Sequence, residues 1–172
     1  EESSFLEDRI TWILRSSLPI SEVHEPNLRD LVKLGGTIGG AAAHRLIEVS
    51  GPEIKDEMLN MLVEAKSDFN LCHFGIGDAL KKFACKEDIQ KVALLSDSIC
   101  NEMTNESDED DSFGFIAGAA RFLSGLDISD VGAELLASSS KSIPEPRARL
   151  LYNILIDQHS TPAFELAGEL LL

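Results

Sequence analysis

Seven residues of this chain carry the side chains most often found at reacting or metal-binding centres: His24, His44, His73 and His159, with Cys72, Cys85 and Cys100. Cys72, His73 and Cys85 are the most closely spaced set, and by donor type they could hold zinc. A tetrahedral zinc site needs four ligands converging on one point. Sequence neighbours on one helix point in different directions, and no fourth ligand has usable spacing, so the cysteines read as small buried apolar residues. An odd, sparse set without a C-x-x-C pair argues against a disulfide framework and for a reducing compartment. His44 and Glu48, four apart, read as a helix surface pair. No Ser, Cys or Asp lies in a nucleophile elbow or a paired-carboxylate context. The expectation is a chain that is not an enzyme and uses no metal and no cofactor.

The stretch Leu34 to Arg45, LGGTIGGAAAHR, raises a phosphate-binding question of its own. Gly35 and Gly40 have the spacing of a G-x-x-x-x-G-K-[ST] loop, but Ala41 and Ala42 stand where the lysine and hydroxyl belong, and no strand precedes them. Leu28, Leu31, Gly35, Ile38, Ala42, Arg45 and Val49 instead recur in steps of three and four, the period of a helix face. The pattern predicts one helix over 27–49, with Gly35, Gly39, Ala42 and Ala43 lining a close helix contact. The competing reading is a break at the glycines, each of which costs about 1 kcal/mol relative to Ala inside a helix.

Charge narrows the partners. Lys and Arg number 15 against 30 Asp and Glu, a net charge of −15. Nucleic acids and anionic membranes bind through clustered Lys and Arg, so neither is an expected partner. No apolar run approaches the roughly 20 residues needed to span a bilayer. The clearest acidic loop is 102–111, with Glu102, Glu106, Asp108, Glu109, Asp110 and Asp111 and no base among them. It lacks the glycine and the final glutamate of an EF-hand. Ser107, followed by Asp-Glu-Asp-Asp, is a candidate phosphorylation site for an acidophilic kinase; the plain alternative is a solvated loop.

The elements that must position these residues read as helices throughout, with no strand alternation and no hairpin dipeptides. Apolar residues make up 44% of the chain, enough for a core. Ser4/Glu7, Ser50/Glu53 and Ser142/Glu145 have capping-box spacing. Leu6, Ile10, Ile13 and Leu14 form one stripe, widened by Phe5 and Trp12; Ile54, Met58, Met61, Leu62 and Ala65 form another. Ile89, Val92, Ala93, Ser96, Ile99, Cys100 and Met103 form a third, and Leu151, Ile154 and Leu155 a fourth. Helices are predicted over 4–17, 27–49, 52–66, 69–83, 87–103, 112–124, 128–140, 145–158 and 162–172. The short connections favour antiparallel neighbours. Residues 40–67 and 118–142 echo each other, each running from small residues and an Arg to a Leu-rich helix that closes on Lys-Ser. That suggests a repeat of helix pairs. The expected fold is all-α: a right-handed stack of antiparallel helix pairs, a HEAT/TPR-like α-solenoid of about nine helices. It is taken as a single helical-repeat domain over 1–172, within a longer chain.

PRARLLYNIL, a polar turn with Thr161-Pro162, and AFELAGELLL follow one another within 143–172. This pattern, carried by Arg149, Leu150, Leu151, Tyr152, Asn153 and Leu155, resembles the helical repeats ahead of the PCI module in the translation initiation factor 3 subunit M family. The glycine-rich and Phe-rich helices upstream have no counterpart in that pattern, and no stretch reads as the winged helix of a PCI module. The resemblance implies a cytoplasmic, non-catalytic scaffold within a multi-subunit assembly. The expected function is thus that of a protein–protein interaction scaffold or adaptor in translation initiation, its partners being other protein subunits. Phe5 and Trp12 are the candidate partner-binding residues. The alternative is a helical-bundle enzyme or small-molecule binder, with polar groups such as His44 or His73 converging on an internal apolar pocket.

Overall fold

A computed structural model describes residues 2–16, 24–103, 112–137 and 145–158. Among the described residues there is no strand, and eight α-helices of two turns or more, rather than about nine. They are α1 (Glu2–Ser16), α2 (Glu25–Val32), α3 (Gly36–Ser50), α4 (Lys55–Glu64), α5 (Lys86–Met103), α6 (Phe113–Leu123), α7 (Ile128–Ala137) and α8 (Glu145–Gln158). Between α4 and α5 runs a π-helix, Asn70–Gly77, which continues into one α-turn, Asp78–Leu80, and a 3-10 turn, Lys81–Phe83. The helix expected over 162–172, Ser107 and most of the acidic 102–111 segment lie outside the described residues.

The single helix expected over 27–49 is two helices. Gly35 (φ 67°) and Gly36 (φ 56°) occupy left-handed backbone, which a side chain resists, and α2 therefore stops at Val32. The joint is held by one carboxylate. Asp68 accepts from the Gly36 N–H (2.6 Å) and from the Leu71 N–H (3.0 Å), capping α3 and the π-helix together. A methyl group on Gly35 would lie 2.8 Å from Asp68 Oδ2, the oxygen that accepts the Gly36 N–H. In α3, which restarts at Gly36, residues Gly39, Gly40, Ala41, Ala42, Ala43, Leu46 and Ile47 are buried, whereas Arg45 and Val49 of the expected stripe are only half-buried.

Two of the expected capping boxes do not form as drawn. Ser4 lies inside α1, and Ser50, at the start of the 3-10 turn Gly51–Ile54, makes no cap bond and donates to Glu25 instead. Ser142 lies outside the described residues. A half of such a box forms elsewhere, at the start of α5, where the Asp88 carboxylate accepts the Cys85 N–H at 2.8 Å. It also takes Lys55 Nζ at 2.9 Å and the Cys85 thiol at 3.1 Å. Burial alone would push the Asp88 carboxyl up, but these bonds outweigh it and hold the group below its ordinary 3.8.

One core runs from Leu14 of α1 to Ile154 of α8, with Phe115, Phe122, Leu46, Ile47, Met58, Leu59 and Leu62 among its fully buried side chains. The stripe on α5 is buried as expected at Ile89, Val92, Ala93, Ser96 and Ile99. At the far end, Arg147 of α8 forks onto Asp97 of α5, the closest contact being 2.7 Å. Gln158 donates to the Leu126 carbonyl at 2.7 Å.

Candidate functional site

The π-helix is the element around which the chemistry-bearing residues gather. Such helices are rare and concentrate at functional sites. Here the π-helix is gripped from two sides by backbone. A methyl group on Gly75 would lie 2.6 Å from the Gly40 Cα of α3, and one on Gly77 would lie 2.4 Å from the Gly118 carbonyl oxygen of α6. Residues two apart on a helix do not share a face, so α3 and α6 hold different faces of it. Gly40 and Gly118 thus come from different helices to the same element.

The expected close-packing residues divide accordingly. Gly39, Ala42 and Ala43 are buried in α3, and a methyl group on Gly39 would lie 2.8 Å from the Val32 carbonyl oxygen at the end of α2. Gly35 belongs to the turn. Gly40, Gly75, Gly77 and Gly118 were missed by the sequence reading, although the spacing of Gly75 and Gly77 was the available signal.

Along one side of the π-helix runs a chain of charged groups from α3 to α8. Arg45 pairs with Glu48 at 2.8 Å. His44 stands between Glu48 (Nδ1 to Oε1, 3.9 Å) and Asp78 (Nε2 to Oδ2, 3.8 Å). Arg121 of α6 donates to Asp78 through Nε at 2.8 Å and approaches the same oxygen with a second nitrogen at 2.6 Å. Its remaining nitrogen lies 3.8 Å from Asp157 of α8, whose Oδ2 is 3.7 Å from His73 Nε2. His44 and His73, distant in sequence, are therefore joined through Asp78, Arg121 and Asp157. Burial lowers both imidazoles below their ordinary 6.5, outweighing the carboxylates that face them.

On its other edge His73 ends an aromatic stack. Its ring lies parallel to Phe69 (centroids 5.0 Å apart, planes 9° apart), and Phe69 stacks in turn on Phe113 at 5.4 Å. Phe74 stands edge-on to both Phe69 and His73, at 5.4 and 4.7 Å. The inner rings are half-buried, whereas Phe113 is 55% and Phe74 47% exposed. The result is an aromatic platform open on one side. α1 reaches it through Arg15, which donates to the Phe74 carbonyl at 3.4 Å. Trp12, one turn earlier on that face of α1, is 65% exposed. The side chain of Phe5 lies outside the described residues.

The Cys72–His73–Cys85 set does not converge. The Cys72 thiol is buried and directed at the Ala65 carbonyl (3.2 Å), and burial pushes it up to about 12. Cys85 is engaged by Asp88, whose hydrogen bond raises that thiol as well. Among the described residues no group of three or more His, Cys, Asp or Glu could hold a metal ion, and no helix is long and apolar enough to cross a membrane. Of the residues that carry the C-terminal resemblance, Leu150 and Leu151 are buried, whereas Tyr152 is exposed. The Asn153 amide donates to the Arg149 carbonyl within its own helix at 2.8 Å. No family model, curated protein or solved structure matches this chain.

Proposed function

We propose that this chain is a non-catalytic protein–protein interaction subunit, a scaffold or adaptor of a cytoplasmic multi-protein assembly. The observation that carries this reading is the open platform of Phe69, His73, Phe74 and Phe113. Aromatic side chains left exposed together are what interface centres use, because each buries a large area at little cost in rotamer entropy. The net charge of −15 favours a basic partner, and an arginine presented to the open Phe113 face would gain a cation–π contact. The finer architecture, a right-handed stack of antiparallel helix pairs in one helical-repeat domain, belongs to the same proposal. So does the role in translation initiation that the C-terminal resemblance implies. The test is affinity purification of the intact protein against a Phe74→Ser, Phe113→Ser variant. The proposal expects partners held by the wild type and lost by the variant; an identical set from both, or a partner-free monomer, refutes it.

A second reading, an enzyme or small-molecule binder, draws on the meeting of His44 and His73 through Asp78, Arg121 and Asp157. Its weakness as catalysis is geometric: His73 Nδ1 is buried, and Nε2 faces Asp157, so neither nitrogen is presented to a substrate. Alanine at His44 and His73 leaving every measured small-molecule interaction unchanged would dispose of it.

A further inference from the structure

His73 belongs both to the aromatic stack and to the charged chain, and its burial favours the neutral form of the ring. Nε2 faces Asp157 Oδ2 of α8 at 3.7 Å, while Nδ1 is buried and has no hydrogen-bond partner. The neutral ring suits this setting better, because its single N–H can be directed toward Asp157, whose Oδ2 is itself buried without a hydrogen bond, and Nδ1 is left as a bare acceptor. The protonated ring must also carry a proton on Nδ1, a buried donor with no acceptor, which is among the costlier defects in a protein interior. It would also set a second cation beside a carboxylate already flanked by Arg121 of α6 at 3.8 Å. Other groups face the ring too. Asp78, at the end of the π-helix, favours the charged form from further along the chain, and Phe69 offers its face to an imidazolium. Neither supplies an acceptor to Nδ1.

We propose that His73 is a proton-operated release: proton uptake on its ring breaks its contact with Asp157 of α8 and loosens the π-helix and the aromatic stack built on it. The direction of its titration agrees. Burial is the leading influence and holds the imidazole below its ordinary 6.5, against Asp157. A histidine depressed in the packed form lends its full stability above 6.5, and that contribution is lost as pH falls from 6.5 through the packed-state value. The inference stands whether or not the platform binds a partner.

Side-chain NMR titration of the intact protein, joined to hydrogen exchange at about pH 7.5 and about pH 5.5 on either side of the ordinary imidazole range, tests it. The wild type should show His73 titrating below 6.5, and protection of residues 70–77 and 145–158 should fall in acid relative to α4. His73→Phe, which keeps a flat ring and cannot take a proton, should abolish that loss. A His73 pKa at or above 6.5, acid-independent protection of both segments in the wild type, or the same loss in His73→Phe would each overturn the proposal. The wild-type measurements decide alone if the variant does not fold.

Discussion

Gly75→Ala is the sharpest probe of how the π-helix is held. The added methyl would lie 2.6 Å from the Gly40 Cα, 2.7 Å from its oxygen and 3.0 Å from its carbonyl carbon. Carbon atoms in good contact sit about 3.5–4.0 Å apart, so α3 and the π-helix would have to part by about 1 Å. Every obstructing atom is backbone, and α3 is tied at its start by Asp68, so no side-chain rotation relieves the clash. Overpacking costs about 1–3 kcal/mol, and this geometry places the cost near the top of that range. Ala regains about 1 kcal/mol over Gly in a helix, which leaves a net loss of about 2 kcal/mol. For a chain of this size that lowers Tm by about 4–8 °C. Urea unfolding followed by circular dichroism measures it, with the exposed Ser98→Ala on α5 as a reference expected to move by less than about 0.5 kcal/mol. Gly40→Ala together with Gly75→Ala should cost less than the sum of the two, because one parting of the helices serves both. A Gly75→Ala variant as stable as the wild type, or more so, would refute the backbone contact.

Three further outcomes follow from the packing and the buried polar groups. Asp88→Ala removes the cap on Cys85 and the partner of Lys55, and should cost about 2–3 kcal/mol, between a lost cap and a broken buried pair. In the wild type Asp88 is held below its ordinary 3.8. Its contribution is therefore intact above that value and lost as pH falls below it, which urea midpoints across the acid range would show. Cys72, with its thiol pushed up to about 12, should resist thiol reagents in the native protein and react at once in denaturant; rapid native labelling, mapped by mass spectrometry, would contradict its burial. Gly39→Leu drives a side chain at the Val32 carbonyl oxygen and should cost about 1–3 kcal/mol, read by thermal melting; no loss would mean that α2 and α3 do not meet there.

Helical class, the buried face of α5 and part of those of α4 and α8 were legible because their apolar residues keep a local period, although Leu59 and Leu150, both buried, fall outside the expected stripes. α1 shows the limit of that signal: Leu14 is buried, yet Leu6 and Trp12 on the same apolar helix are mostly exposed. The break at Gly35 was hidden for a related reason. Phase ran on through the glycines, while the evidence against one helix was a left-handed turn capped by Asp68, far away in sequence. The π-helix has no period that distinguishes it from an α-helix in so short a stretch, and its hold depends on Gly40 and Gly118 arriving from different helices. The site was legible in residue type alone. His44 and His73 stood out, but nothing local joins them, since Asp78, Arg121 and Asp157 come together only through the packing of segment 70–80 against α6 and of α6 against α8.

The most direct test of the interaction role is to place a photo-cross-linking phenylalanine analogue at position 113, and at the exposed Asn60 of α4 for comparison, in the intact protein in cells. Partner adducts should form at 113 and be missing at 60. No adduct at 113, or the same adducts at both positions, would contradict the assignment of the aromatic platform as the binding surface.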